Sequence, residues 1–216
     1  MAIRELDLRP PKVPLPPEVT GFIAAAHRAM DSYDDAHPYR EKPNFVHCDP
    51  ELLYPVLAEV TRRELTYGRV FCELGSGFGM GVCLASMLGY RAYGIEIDPD
   101  VVRFSRELAR SQGLNVEILE TSYFPEGFSS YPGEGGDGLI HPQGYPLDGS
   151  PPRHWPRYEG MDHDTDEIDV FFVYPWPKEH ELFQELFHAV ASDGAVLVAY
   201  YGDGEICAYQ KRMPED

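Results

Sequence analysis

The sequence predicts an α/β fold on a mostly parallel sheet, and three observations lead there. The apolar run Val70–Leu74 passes a carboxylate, Glu73, and breaks into glycines at 75, 77, 79 and 81. Further apolar runs at 91–96, 115–119, 168–174 and 195–201 alternate with stretches whose apolar residues recur at helical spacing. Helix starts (Asp49-Pro50, Asp98-Pro99) and stops (Gly89, Gly113, Gly194) fall between them. Strand–helix alternation of this kind builds parallel sheets with right-handed crossovers.

Taken in order, residues 1–48 read as an extended, proline-bearing arm with a short helix near 21–31. Asp49 caps a helix whose buried face carries Leu52, Leu53, Val56, Leu57 and Val60. The first strand at 69–74 leads through the glycines to a helix at 79–88, then to a second strand at 91–96 that ends in Glu96. Asp98 caps the next helix, with Val101, Phe104 and Leu108 on one face, before a third strand at 115–119. Ile168–Tyr174 is a continuous apolar run suited to a buried parallel strand. Pro177 opens a helix, Ala195–Tyr201 forms the fifth strand, and Glu205–Arg212 returns antiparallel after a Gly202-Asp203-Gly204 turn.

Residues 125–166 break the alternation. Between 125 and 160, glycine and proline fill 15 of 36 positions without a periodic apolar face. A loop of this length is functional or mobile in most compact domains. Two readings stay open, a lid near the substrate side and a disordered surface loop. One domain spans 1–216.

With 18 basic against 36 acidic residues the net charge is −18, which disfavours nucleic acid as a partner. No apolar run is long enough to span a membrane, and the N-terminus lacks an apolar signal core. Cys48, Cys72, Cys83 and Cys207 are scattered, so a reduced, cytoplasmic protein is expected. The acids at 159–169 fail the calcium-loop pattern, since Glu167 and Val173 stand where a glycine and an acid are needed, and they read as a solvated run. The histidines show no zinc-type spacing, so no metal is expected; His141, His154 and His163 are the candidates for a general base.

Spacing decides which ligand the glycine loop suits. A dinucleotide fingerprint needs glycine at the sixth position of the turn. Met80 stands there when counting from Gly75, and Val82 when counting from Gly77. The pattern present is Glu-x-Gly-x-Gly-x-Gly, followed by Gly94-Ile95-Glu96-Ile97-Asp98. Together these resemble the first two motifs of the class I S-adenosylmethionine-dependent methyltransferases, over roughly residues 70–124 and, in outline, 168–201. The loop also resembles that of the non-SET histone lysine methyltransferases.

The resemblance implies a Rossmann-like methyltransferase sheet and S-adenosylmethionine as cofactor. It places Glu73 at the charged end of the cofactor and Gly75, Ser76, Gly77 and Gly79 against its methionine part. Glu96, with Ile97 beside it, would hold the ribose, and a carboxylate can accept both hydroxyls. Ser122, or Glu120 in competition, would meet the adenine. The stretch Tyr174-Pro175-Trp176-Pro177 falls where the family faces its substrate, so Tyr174, Trp176 and Tyr201 are expected there. It lacks the leading amide or acid of the amino-group enzymes. The acceptor is left as a small molecule or a protein, with a non-catalytic cofactor-binding module as the alternative. About fifteen residues follow the fifth strand, where the family usually places a helix and a hairpin, so a shortened C-terminal edge is expected, truncated or completed by a second copy.

Overall fold

The computed structural model describes residues 2–10, 13–36, 48–131, 138–148, 150–202 and 204–212. Parts of the expected arm (1, 11, 12 and 37–47), of the insertion (132–137 and 149), Asp203 of the expected turn and the tail from 213 lie outside the described residues. In chain order the elements are β1 (Ala2–Glu5), α1 (Pro17–Ala36), α2 (Pro50–Arg62), β2 (Val70–Leu74), α3 (Met80–Met87), β3 (Arg91–Glu96), α4 (Pro99–Ser111), β4 (Val116–Glu120), β5 (Ser129–Ser130), β6 (Leu139–Ile140), β7 (Val170–Val173), α5 (His180–Val190), β8 (Val196–Gly202) and β9 (Glu205–Arg212).

Seven strands form one sheet in the order β1-β9-β8-β7-β2-β3-β4. The five from β4 to β8 run parallel, and β9 is antiparallel to β8. Numbered among themselves, the parallel strands follow the doubly wound order 3-2-1-4-5. Two caps that the sequence predicted are made: Asp49 accepts from the Glu51 N–H at 2.8 Å, and Asp98 from the Asp100 N–H at 2.9 Å. The helix expected near 21–31 runs from Pro17 to Ala36, burying Val19, Phe22, Ile23, Ala26 and Met30.

Period-two alternation along the strands divides the core in two. Phe71, Phe172 and Val198 point toward α1–α4, whereas Cys72, Tyr93, Phe171 and Leu197 point to the opposite face, covered by α5.

Two expectations are corrected here. The sheet does not stop at β9: β1 pairs antiparallel with it, Ala2 opposite Arg212 through Glu5 opposite Tyr209, so the chain's own N-terminal segment supplies the seventh strand. The described part of the 125–166 insertion is neither a lid nor a loose loop. It is the crossover from β4 to β7, passing over β3 and β2 where a helix would ordinarily lie. Phe128, Leu139, Tyr158 and Met161 are buried with Cys72, Tyr93 and Ile95. Burying a large apolar side chain contributes about 1.5–3 kcal/mol, so these contacts hold the segment to the sheet. Tyr145 donates to the Ala189 carbonyl at 3.0 Å, fastening it to the end of α5. The acidic run is also tied down in part: Asp162 pairs with Arg91 at 2.9 Å, and Asp164 with Arg157.

Candidate functional site

The crevice beyond the carboxyl ends of β2 and β7 lies where the strand order reverses, the position at which doubly wound sheets take ligands. A cleft of about 590 Å³ opens there. Glu73, Gly75, Ser76, Gly77, Glu96, Ile97, Ser122, Tyr174, Trp176 and Tyr201 all line it, so the sequence-derived candidates converge on one cavity. Two do not. Glu120 is exposed and away from the lining, whereas Ser122 lines it. Gly79 sits behind the cleft as the residue before α3, and a Cβ on it would stand 3.1 Å from the Ser105 Cβ of α4. Its φ of 79° and the closeness of α4 both call for glycine there.

The turn after β2 is bare for a reason in its backbone. Gly75 and Gly77 have φ of 72° and 51°, the left-handed region that side chains disfavour. A Cβ on Gly75 would meet no protein atom within 4 Å, so conformation and not crowding demands glycine, and naked backbone faces open space. Ser76 is anchored by its N–H to the Ile95 carbonyl at 2.7 Å, while its buried Oγ has no hydrogen-bond partner in the protein.

Two carboxylates organise this wall. Glu73 lies beneath the turn, with Oε2 accepting from the Val82 N–H of α3 at 2.7 Å. Gly81 is glycine because a Cβ there would fall 2.7 Å from Glu73 Oε1. Burial pushes the Glu73 carboxyl up to about 8, the backbone donors at Val82 and Gly81 pull it down, and the charge of Glu96 adds to the rise. A buried acid of this kind favours a cationic ligand group beside it.

Glu96 is held from three directions. Oε1 accepts from the Ile97 and Asp98 N–H groups at 2.8 and 2.9 Å, and Oε2 from the Gly77 N–H at 3.0 Å. A carboxylate offers about four acceptor positions. One strong position therefore remains on Oε2, in place of the pair that a two-hydroxyl grip requires.

The opposite wall is aromatic. Tyr174 follows β7 and packs edge-on against Tyr200 with ring centroids 4.8 Å apart. Tyr201, at the end of β8, accepts from Gln184 and donates to Tyr209, each at 3.2 Å. Trp176 is 45% exposed and forms the rim. Sequence reasoning missed Tyr123, Phe124, Phe183, Glu179 and Cys48, all of which line the cleft. The adjacent rings Tyr123-Phe124 at the exit of the third strand were a legible signal. None of His141, His154 and His163 lines it: His163 meets the Tyr93 hydroxyl at 2.8 Å, on the insertion side of the sheet.

With parallel strands in the order 3-2-1-4-5 and the glycine turn after the first, the fold is a doubly wound, Rossmann-like one. No family model and no curated protein matches the sequence. Among solved structures, the chain is similar to an RNA methyltransferase from Salinibacter ruber in complex with S-adenosyl-L-homocysteine, at 22% identity, 80% of this chain, 98% of that one and a TM-score of 0.47. It is also similar to an O-methyltransferase from Bacillus cereus in complex with SAH, at 11% identity, 87% of this chain, 67% of that one and a TM-score of 0.48. A 16S rRNA N2 G1207 methyltransferase from T. thermophilus in complex with AdoMet and guanosine matches at 12% identity, 79% of this chain, 45% of that one and a TM-score of 0.46. Among the described residues no helix is long and apolar enough to cross a membrane.

Proposed function

We propose that this chain is an S-adenosylmethionine-dependent methyltransferase acting on a small-molecule or protein acceptor. The observation that carries the proposal is the meeting, in one cleft, of a side-chain-free turn, two acids and an aromatic wall. The residues fit the cofactor. The bare backbone at Gly75 and Gly77 accepts its methionine part, and the buried Glu73 complements its positive charge. On this reading Glu96 takes one ribose hydroxyl on Oε2, and Ser122, which lines the cleft, is the candidate for the adenine. Bound there, the cofactor supplies a methyl group on a sulfonium already activated for displacement.

The protein's own task is then alignment and exclusion of water. The Gly77–Glu96 hydrogen bond locks the turn to the end of β3, so the two halves of the cofactor wall keep one spacing. Tyr123, Phe183 and Tyr174 give the other side an apolar surface that displaces water from the acceptor. Among the described residues the acid on the aromatic side of the cleft is Glu179, and it is the candidate to take a proton from the acceptor.

Incubation with methyl-labelled S-adenosylmethionine and separate metabolite, protein and RNA extracts tests the reading. Label in the metabolite or protein fraction is expected. Net charge speaks to long-range attraction and not to the group inside the cleft, so the RNA arm belongs in the test. Cofactor binding without label in any fraction would leave a binding module instead of an enzyme.

A further inference from the structure

The acceptor half of the cleft has a charge character separate from its apolar one. Tyr123 and Phe124 after β4, Tyr174 and Trp176 after β7, Phe183 of α5 and Tyr201 at the end of β8 wall it. Glu179 is the charged side chain among them. Among the described residues, no lysine, arginine or histidine lines any part of the cleft, whereas Glu73, Glu96, Asp98 and Glu179 all do. His180 comes near, its ring centroid 4.3 Å from that of Tyr201, but it is not part of the lining.

This lining discriminates by charge. A phosphate or carboxylate entering the cleft meets acids and the negative faces of aromatic rings, and among the described lining residues it finds no cation to offset its desolvation. A nitrogen cation meets the opposite: ring faces that attract it and a carboxylate able to pair with it. Glu179 is positioned for that task. Its Oε2 accepts from the Trp176 N–H at 3.2 Å, which ties the carboxylate to the turn that carries the indole. It also stands within electrostatic reach of Tyr123, whose phenol is raised to about 12 by burial first and by the Glu179 charge second. Tyr123 is therefore neutral at physiological pH, and it is Glu179 that supplies the negative charge in this half.

We propose that the acceptor half selects an amine, captured as its cation, with Glu179 as counter-charge and the rings of Trp176, Tyr174 and Tyr201 around it; before transfer the ammonium gives its proton to the Glu179 carboxylate, and the freed lone pair forms the N–C bond as the S–C bond breaks. The inference rests on the methyltransferase reading, for which the rest of the cleft holds the cofactor. It names the substrate by chemistry: a basic nitrogen on a compact body, in preference to an acid or a phosphate ester.

The test uses the whole chain saturated with S-adenosylhomocysteine and three probes of similar shape, each followed by calorimetry or ligand-observed NMR. Phenyltrimethylammonium carries a permanent cation, tert-butylbenzene is its neutral isostere, and phenyl phosphate is an anion. The cation is expected to bind about tenfold or more tighter than either of the others, the range that a desolvated cation–aromatic contact supports. Glu179→Gln, close to isosteric, is expected to remove most of that preference while the neutral probe binds as before. Trp176→Ala is expected to weaken the cation more than the neutral probe. Equal binding of all three, tighter phenyl phosphate, no binding of the cation, or a preference that survives Glu179→Gln would each overturn the proposal. Failure of S-adenosylhomocysteine itself to bind would overturn the underlying methyltransferase reading, and that titration comes first.

Discussion

The two walls of the cleft are built from different materials. On the β2–β3 side the protein presents backbone: glycines with positive φ, and two carboxylates held by the N–H groups of Val82, Gly77, Ile97 and Asp98. On the β7–β8 side it presents side chains: Tyr174 and Trp176 after β7, Phe183 of α5 and Tyr201 near the end of β8. A backbone wall admits few sequences, because only glycine tolerates its dihedral angles and only an acid satisfies several N–H donors at once. An aromatic wall admits many. The first wall is where a common ligand would be read, and the second is where specificity would vary.

The largest effect on cofactor binding should come from the backbone wall. Gly77→Leu places a side chain at φ 51° in the cleft lining. S-adenosylhomocysteine affinity is expected to fall at least about 100-fold, equivalent to roughly 2.7 kcal/mol. Circular dichroism should show the α/β content unchanged.

Away from both walls, Phe128→Ala examines the crossover layer. Truncating a buried aromatic costs about 3–5 kcal/mol, so a large drop in denaturation midpoint is expected with cofactor affinity retained. If affinity fell while stability held, the segment would be acting on the cleft after all.

Glu96→Ala should weaken cofactor about tenfold, since one charge-assisted hydrogen bond to a hydroxyl and one anchor of the turn are lost together. A loss as large as that of Gly77→Leu would mean that both ribose hydroxyls are gripped, contrary to the three backbone donors already on the carboxylate.

The smallest effect is a pH dependence. Glu73 is raised to about 8 in the free protein, so below that pH it is mostly protonated, and a bound ammonium requires its carboxylate. Cofactor binding then releases a proton, and affinity climbs toward pH 8, by at most about tenfold per unit, and levels off above. In Glu73→Gln the climb should vanish. A flat profile in the wild type would mean that Glu73 serves only the start of α3.

The difference between the walls also explains what the sequence made legible. Glu73, the glycine turn, Glu96 and the Asp98 cap are local patterns, each confined to a few consecutive residues, and they stand where spacing placed them. β1 was not legible because Ala2–Glu5 is a strand only through its pairing with Glu205–Arg212 at the other end of the chain. The crossover layer was hidden for a similar reason. Phe128, Leu139, Tyr158 and Met161 follow no period, and their burial depends on β2 and β3 lying beneath them. Gly79 shows a subtler limit: its glycine was legible but its neighbour was not, because Ser105 arrives from a different helix. The contribution of Tyr123 and Glu179 to the acceptor half depended in the same way on three strands ending together.

The most direct test of the account is a calorimetric titration of the full chain with S-adenosylhomocysteine, run beside Gly77→Leu. One saturable site is expected in the wild type and its loss in the variant. Absence of binding to the wild type, or equal affinity in both proteins, would contradict the claim that the bare turn after β2 is the seat of the cofactor.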